Sequence, residues 1–149
     1  MNTELRELYQ EIIIDHNRNP RNHYQMEEPT ATANGYNPLC GDKLTVYLKV
    51  RDNIVESLSF VGCGCAISQA SASLMTEALK GKTVEEVKHI FEGFHHMLTS
   101  DEESQWIIVD KLSVLAGVKA FPARVKCATL AWHTLNAALN HCQDPVSTE

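Results

Sequence analysis

Three cysteines and one aspartate occupy positions where the chain can bind a metal ion or carry out thiol chemistry. Cys40 and Asp42 lie two residues apart in a turn before a predicted strand, and Cys65 follows Gly64 and opens a predicted helix. Cys127 falls in the first two turns of the last predicted helix. Glycine lets the backbone approach a bound atom closely, and a helix N-terminus favours the thiolate form of Cys65.

Together these residues offer three thiolates and one carboxylate, a donor set that suits four-coordinate zinc. Their spacing matches no local zinc signature, because the three cysteines are far apart in the sequence. Spacing alone therefore leaves a second interpretation open, in which the cysteines are small, buried, apolar side chains.

The composition argues against several classes of protein, among them nucleic-acid-binding, membrane-spanning and disordered proteins. Thirteen basic residues against nineteen acidic ones give a net charge of −6, which argues against nucleic acid and against an anionic membrane as partners. The length predicts one domain over 1–149, and 44% hydrophobic residues argue against a disordered chain. No apolar stretch approaches the roughly 18 residues of a membrane span, and no secretory signal is visible at the start. Five cysteines in such a chain favour reduced thiols and a cytoplasmic location.

The first half of the chain shows the patterns of a helix and a small sheet. An apolar stripe of helical period runs up to Asn19-Pro20, where the helix must end. A short strand is expected near 30–33. Alternating residues over 44–50 and a returning stretch over 54–61, with Asp52-Asn53 between them, predict a hairpin.

The second half has helical periodicity. Helices are predicted over 67–79, from a capping box that begins at Thr83, from Asp110 to near Gly117, and from Phe121-Pro122 onwards. Strands followed by helices predict an α+β fold, with a small antiparallel three-stranded sheet and helices packed on one face.

Four blocks of sequence resemble the iron–sulfur cluster assembly proteins of the IscU/NifU superfamily. The resemblance extends from the first helix to about residue 139. The blocks are Asp15-His16 with Asn19-Pro20-Arg21-Asn22, Asn37-Pro38-Leu39-Cys40-Gly41-Asp42, the stretch 64–73 and the stretch 121–130.

Two features resemble the SufU-type branch of this superfamily. Isc-type members have a histidine just before the third cysteine, whereas this chain has Lys126. SufU-type members also carry an additional helical segment between the second and third cysteines, which corresponds here to Thr83 to Trp106.

The resemblance implies an IscU/NifU-like fold and a zinc ion held by Cys40, Asp42, Cys65 and Cys127. It further implies a sulfurtransferase-like relay, in which Cys40 accepts persulfide sulfur from a SufS-type cysteine desulfurase and passes it to the downstream Suf scaffold. Two other functions stay open. One is a scaffold on which a transient [2Fe–2S] cluster is assembled, and the other is a zinc-stabilised interaction module without a catalytic role.

Two more residues are candidate auxiliaries of the site. Cys63 stands where SufU-type relatives usually have an acidic residue. It is either a competing ligand or resolving thiol, or a small side chain tolerated at the edge of the site. Arg124 precedes Cys127 by about one helical turn. Its positive charge either stabilises sulfur anions or contacts the partner protein, or it forms an ion pair on the surface. Cys142, near the polar tail, has no partner motif.

Overall fold

The computed structural model describes residues 3–38, 40–99, 110–140 and 146–147. Cys142 and residues 100–106 of the predicted additional segment lie outside these ranges. The helices and strands are, in chain order, α1 Thr3–Arg18, β1 Ala31–Asn37, β2 Asp42–Arg51, β3 Ile54–Cys63, α2 Ala66–Leu79, α3 Val84–Thr99, a 3₁₀ helix Asp110–Ala120, α4 Pro122–Leu139 and β4 Val146–Ser147.

The predicted antiparallel sheet of three strands is confirmed. β2 lies between β1 and β3 and pairs antiparallel with both. Asp52 and Asn53 have φ values of 51° and 64°, the conformation that a two-residue type I′ hairpin turn requires. The two-residue β4 adds a parallel partner to β1, and a strand this short has no recognisable pattern in the sequence.

The helices pack on one face of this sheet around Trp132. Leu44, Val46 and Leu48 alternate along β2 and are buried in one core with residues of α2, α3 and α4. Trp132 of α4 stacks on Phe94 of α3, with 4.3 Å between ring centroids, and its indole N–H donates to the Ser71 hydroxyl of α2 at 3.1 Å. Trp132 thus connects α4 to both α3 and α2 within this core.

The predicted helices form, with one difference in type. The capping box that opens α3 is present, because the Thr83 N–H donates to Glu86 Oε1 and the Glu86 N–H donates to Thr83 Oγ1, both at 3.1 Å. The segment from Asp110 runs to Ala120 as a 3₁₀ helix, beyond its predicted end near Gly117. Leu112, Leu115 and Val118 are buried within it, and their spacing of three residues matches the period of a 3₁₀ helix.

The first of the four sequence blocks that carry the resemblance connects the loop after α1 to α2 by hydrogen bonds. Ser73 Oγ lies 2.7 Å from His16 Nδ1 and accepts the Arg21 N–H at 2.8 Å. Asn22 donates to Thr76 Oγ1 at 3.0 Å and thereby continues the contact along α2. These bonds hold in place the helix that begins beside Cys65. Within the ranges given above, no helix has the length and apolar character needed to cross a membrane.

Candidate metal centre

The turn between β1 and β2 presents Cys40 to solvent and buries Asp42. Gly41 between them has a φ of +71°, a left-handed conformation that glycine adopts without strain. The Cys40 side chain is exposed, whereas Asp42 is completely buried. The interpretation of Asp42 as a loop residue is therefore wrong: it is the first residue of β2 and pairs with Asn37, because the ladder continues to the end of β1.

The fold brings Asp42 together with two of the three candidate cysteines. One carboxylate oxygen of Asp42 and the sulfurs of Cys40 and Cys127 all lie within 4.8 Å of one another. The two sulfurs are 3.3 Å apart, and the Cys127 thiol donates to Cys40. Cys127 is buried in the second turn of α4, so the group joins an exposed thiol to two buried ligand atoms.

The carboxylate of Asp42 indicates that a metal ion fits here. Its Oδ1 accepts the Cys65 backbone N–H at 2.8 Å, whereas its buried Oδ2 has no hydrogen-bond partner in the described part of the chain. A buried carboxylate oxygen without a partner is costly. Two thiol sulfurs lie beside this carboxylate, and thiolates and carboxylates are ligands that zinc accepts. A bound cation would give Asp42 Oδ2 the partner that the described residues do not supply.

Cys65 lies at the edge of this group. It is the N-cap residue of α2, as predicted, and its sulfur accepts the Ser68 N–H at 3.4 Å. Its sulfur is not among the ligand atoms that lie within 4.8 Å of one another in the described ranges. It is close enough to interact with the Cys127 thiol. The structure thus assembles three of the four predicted ligands and places the fourth beside them.

Gly64 allows the contact between Asp42 and Cys65. A Cβ atom at position 64 would lie 2.7 Å from Asp42 Oδ1, closer than Cβ atoms approach other side-chain atoms in proteins. The glycine next to Cys65 therefore has a steric role, and the carboxylate fills the space beside it.

Burial and neighbouring thiols raise the pKa of the Cys127 thiol above its ordinary value. Burial is the largest cause, and hydrogen bonds with Cys40 and Cys65 follow. Cys127 is therefore a neutral thiol at neutral pH in the metal-free protein. Because a metal ligand must be the thiolate, metal binding at this site displaces protons.

We expect the metal-free protein to lose stability as the pH rises above about 9. The thiol of an unfolded chain ionises near its ordinary pKa of 9.0, whereas folded Cys127 retains its proton. The unfolded state then binds fewer protons, so the free energy of unfolding falls by up to about 1.4 kcal/mol per pH unit. Denaturant titrations between about pH 8 and pH 10.5 measure this loss. In Cys127→Ala the free energy of unfolding should fall less steeply with pH than in wild type. Equal slopes would show that Cys127 does not cause the decline.

Arg124 and Cys63, the two candidate auxiliaries, differ in their relation to the site. The interaction of the exposed Arg124 guanidinium with Cys127, followed by the charges of Cys65, Cys127 and Cys40, raises the pKa of Arg124. Cys63 is the exposed last residue of β3, paired with Lys43, and does not belong to the metal-binding group found among the described residues. The position of Arg124 favours its interaction with the sulfurs over a surface ion pair. The position of Cys63 favours a side chain tolerated at the edge of the site over a metal ligand.

Asn37 is a site residue that the sequence did not single out. It is buried at the end of β1, and its side-chain amide donates to the Cys127 sulfur at 3.5 Å. Its backbone carbonyl accepts the Cys40 N–H at 3.3 Å, and it pairs with Asp42 in the sheet. Its position just before Pro38, in the block that contains Cys40, was the signal available in the sequence.

Asn37→Ala should lower metal affinity by about 10- to 100-fold, the usual effect of removing a hydrogen-bond partner of a metal ligand. Competition with a chromophoric chelator measures the change. Asn34→Ala is the matched control, because Asn34 lies on the same strand at an exposed position and bonds to Thr45 at 2.7 Å, away from the sulfurs. Equal affinity of Asn37→Ala and the control would show that Asn37 does not support the ligands.

The fold and the site define a class: a small antiparallel sheet covered by helices, with a cysteine–aspartate–cysteine group at one end. The model of the NifU-like N-terminal domain matches residues 8–145, and the chain belongs to this family. The family resemblance found in the sequence is thereby confirmed.

Relatives with known names agree with this assignment. The chain is 41% identical over 134 residues to the "Zinc-dependent sulfurtransferase SufU" of Bacillus subtilis, covering 90% of each protein. It is 36% identical over 137 residues to the "Iron-sulfur cluster assembly scaffold protein IscU" of Streptococcus pyogenes, covering 92% of this chain and 86% of that protein.

Solved structures share the fold. A crystal structure of a hypothetical protein matches with a TM-score of 0.83 and 36% identity, covering 90% of this chain and 98% of that one. A protein described as an iron–sulfur cluster assembly scaffold for the SUF system of Fervidobacterium islandicum matches with a TM-score of 0.76 and 31% identity, covering 89% of this chain and 97% of that one. The chain is thus a member of the SufU and scaffold family of iron–sulfur cluster assembly.

Proposed function

We propose that this protein is a zinc-dependent sulfur acceptor that takes persulfide sulfur from a SufS-type cysteine desulfurase and relays it to the Suf assembly machinery. The observation that carries the proposal is the contrast between exposed Cys40 and its two buried neighbours, Asp42 and Cys127. A sulfur carrier needs one thiol that a partner protein can reach and a fixed remainder that holds it in place. The name of the Bacillus subtilis relative supports the same function.

Zinc is the proposed metal, held by Cys40, Asp42, Cys65 and Cys127. Asp42 and Cys127 are rigidly placed on β2 and α4, and Cys65 caps α2 beside them. When bound, zinc keeps thiols ionised at neutral pH and stabilises the fold that brings them together. Arg124 adds a positive charge that faces the three sulfurs and favours their anionic forms.

The chain's own residues determine how Cys40 reaches a partner. Cys40 lies on an exposed turn, whereas Asp42 and Cys127 remain behind it in the core. A small movement of the turn can therefore present the Cys40 sulfur outward while the buried ligands stay in place. Attack of this sulfur on a persulfide of the desulfurase transfers the outer sulfur to Cys40 and leaves a thiolate on the donor. The reducing cytoplasm is the compartment in which these thiols persist.

The test is desulfurase turnover with and without this protein. A SufS-type desulfurase is supplied with cysteine, and alanine formation is measured as the protein is added. We expect stimulation that depends on Cys40 and on bound metal. Turnover that is unchanged at saturating protein would contradict sulfur acceptance and favour an interaction module.

The second candidate is a scaffold that holds a transient [2Fe–2S] cluster. The names of the Streptococcus pyogenes and Thermotoga maritima relatives favour it. Cysteine thiolates are ligands of iron–sulfur clusters as well as of zinc. Metal analysis and visible absorbance after reconstitution with iron and sulfide distinguish the two functions. A stable cluster that transfers to an apo-acceptor supports the scaffold, and zinc retained without absorbance supports the sulfur acceptor.

A further inference from the structure

We propose that Cys127 is the resolving thiol for a persulfide on Cys40, and that it releases the outer sulfur as hydrosulfide when the site has lost its metal. This inference rests on the proposed function, since it needs Cys40 to carry the persulfide. The site would then release sulfur in two ways. In one, persulfide sulfur is transferred to another protein, and in the other it leaves as a free inorganic ion.

The geometry of the two sulfurs carries the inference. Cys127 Sγ and Cys40 Sγ are 3.3 Å apart, within the roughly 3–3.5 Å separation of reacting atoms that are poised for attack. Cys127 approaches Cys40 from the buried side, whereas the Cys40 side chain is exposed. An outer sulfur on Cys40 would project to solvent, opposite the attacking thiol, which is the arrangement that sulfur displacement requires.

The step balances without an external reductant. The Cys127 thiol first passes its proton to the outer sulfur of the Cys40 persulfide, and the resulting Cys127 thiolate attacks the inner sulfur. A Cys40–Cys127 S–S bond forms and the bond between the inner and outer sulfurs breaks. The outer sulfur leaves with that bonding electron pair and the proton, as HS⁻. The outer sulfur is reduced, and the two cysteine sulfurs become an oxidised disulfide.

Cys65 and Cys63, the other two cysteines in the described ranges, are placed less well for this attack. The Cys65 sulfur accepts the Ser68 N–H at the start of α2 and lies outside the 4.8 Å group. Cys63 is exposed at the end of β3 and also lies outside that group, as defined over the described ranges. A metal ion held by Cys127 would withdraw electron density from its sulfur and so suppress this attack. The persulfide should therefore survive in the metal-loaded protein and react once the metal is lost.

The experiment loads the full-length, metal-containing protein with sulfur in two ways. In one arm a SufS-type desulfurase and cysteine supply the persulfide, and in the other inorganic polysulfide does. After desalting to remove donors and free thiols, EDTA is added and metal loss is verified. Hydrosulfide is trapped with monobromobimane, and peptides are mapped by mass spectrometry without reduction.

We expect hydrosulfide release in step with metal loss, about one equivalent per persulfide, together with a Cys40–Cys127 disulfide. The wild-type peptide map tests this without any variant. Cys127→Ser should retain the adduct of about +32 Da on Cys40 and release no hydrosulfide. Cys63→Ser is the matched control and should behave as wild type.

Three results would overturn the inference: an adduct that persists after verified metal loss, a disulfide from Cys40 to Cys65, or release that continues in Cys127→Ser. Failure of the proposed function looks different. In that case the desulfurase arm leaves Cys40 without an adduct, whereas the polysulfide arm still reports on whether Cys127 resolves it.

Discussion

Replacement of Cys40 by serine is expected to abolish persulfide acceptance while the protein keeps its fold. Cys40 is exposed on a turn, and in the metal-free protein an exposed substitution of this kind usually changes stability by no more than about 0.5 kcal/mol. Serine removes the nucleophilic sulfur, so no sulfur–sulfur bond can form at this position. A short reaction of wild-type protein with desulfurase and cysteine should place an adduct of about +32 Da on the peptide that contains Cys40. Cys40→Ser should show none.

Cys63→Ser is the matched control for this prediction. Cys63 is also an exposed cysteine, at the end of β3, and belongs to no metal-binding group among the described residues. The Cys63→Ser variant should accept sulfur on Cys40 at the wild-type rate. If the first adduct in wild-type protein appears on Cys63 or Cys65, the assignment of Cys40 as acceptor is wrong.

Asp42→Asn should reduce metal affinity by at least about 100-fold. This loss is larger than the 10- to 100-fold loss expected when a residue that only hydrogen-bonds to a metal ligand is removed. Asparagine keeps the size of the side chain, and its carbonyl oxygen can still accept the Cys65 N–H. It removes the negative charge and the unpartnered carboxylate oxygen that a cation would engage. Chelator competition measures the affinity, and the melting temperature of the metal-free protein should stay close to wild type.

Asp42→Ala separates the metal role from the structural role. It removes the acceptor as well, so the Cys65 N–H is left without its partner and the metal-free protein should lose about 1–3 kcal/mol. At about 2–4 °C per kcal/mol, the melting temperature falls by several degrees. Asp52→Asn, in the exposed hairpin turn, controls for the loss of one charge. Wild-type affinity in Asp42→Asn would show that the carboxylate does not bind the metal.

Local patterns in the sequence were sufficient for most of the fold. The hairpin followed from residues that alternate on both sides of Asp52-Asn53, and α3 followed from reciprocal capping by Thr83 and Glu86. Both signals involve residues a few positions apart. The 3₁₀ geometry from Asp110 was not predicted, because a period of three is hard to distinguish from 3.6 over so short a stretch.

Three of the four predicted ligands, Cys40, Asp42 and Cys127, come together in the structure, and Cys65 lies beside them. Residue types and the family resemblance predicted this set of residues. They did not show that Asp42 is buried in β2, because that depends on a ladder that continues to Asn37. The role of Asn37 also depends on contact with Cys127, which is 90 residues away in the sequence. Such contacts are set by the packing of α4 on the sheet, and no local pattern encodes them.

The separation of Cys40 and Cys127 by 87 residues also sets the order of events during synthesis. At about 5–20 residues per second, roughly 4–17 s pass between the translation of the two cysteines. During that interval Cys40 has no buried sulfur beside it, so any cation it captures is held by fewer ligands and is easily lost. A tightly held ion therefore indicates a chain whose last helix has docked, and the metal content of a preparation sets a lower bound on the fraction of molecules that have completed folding.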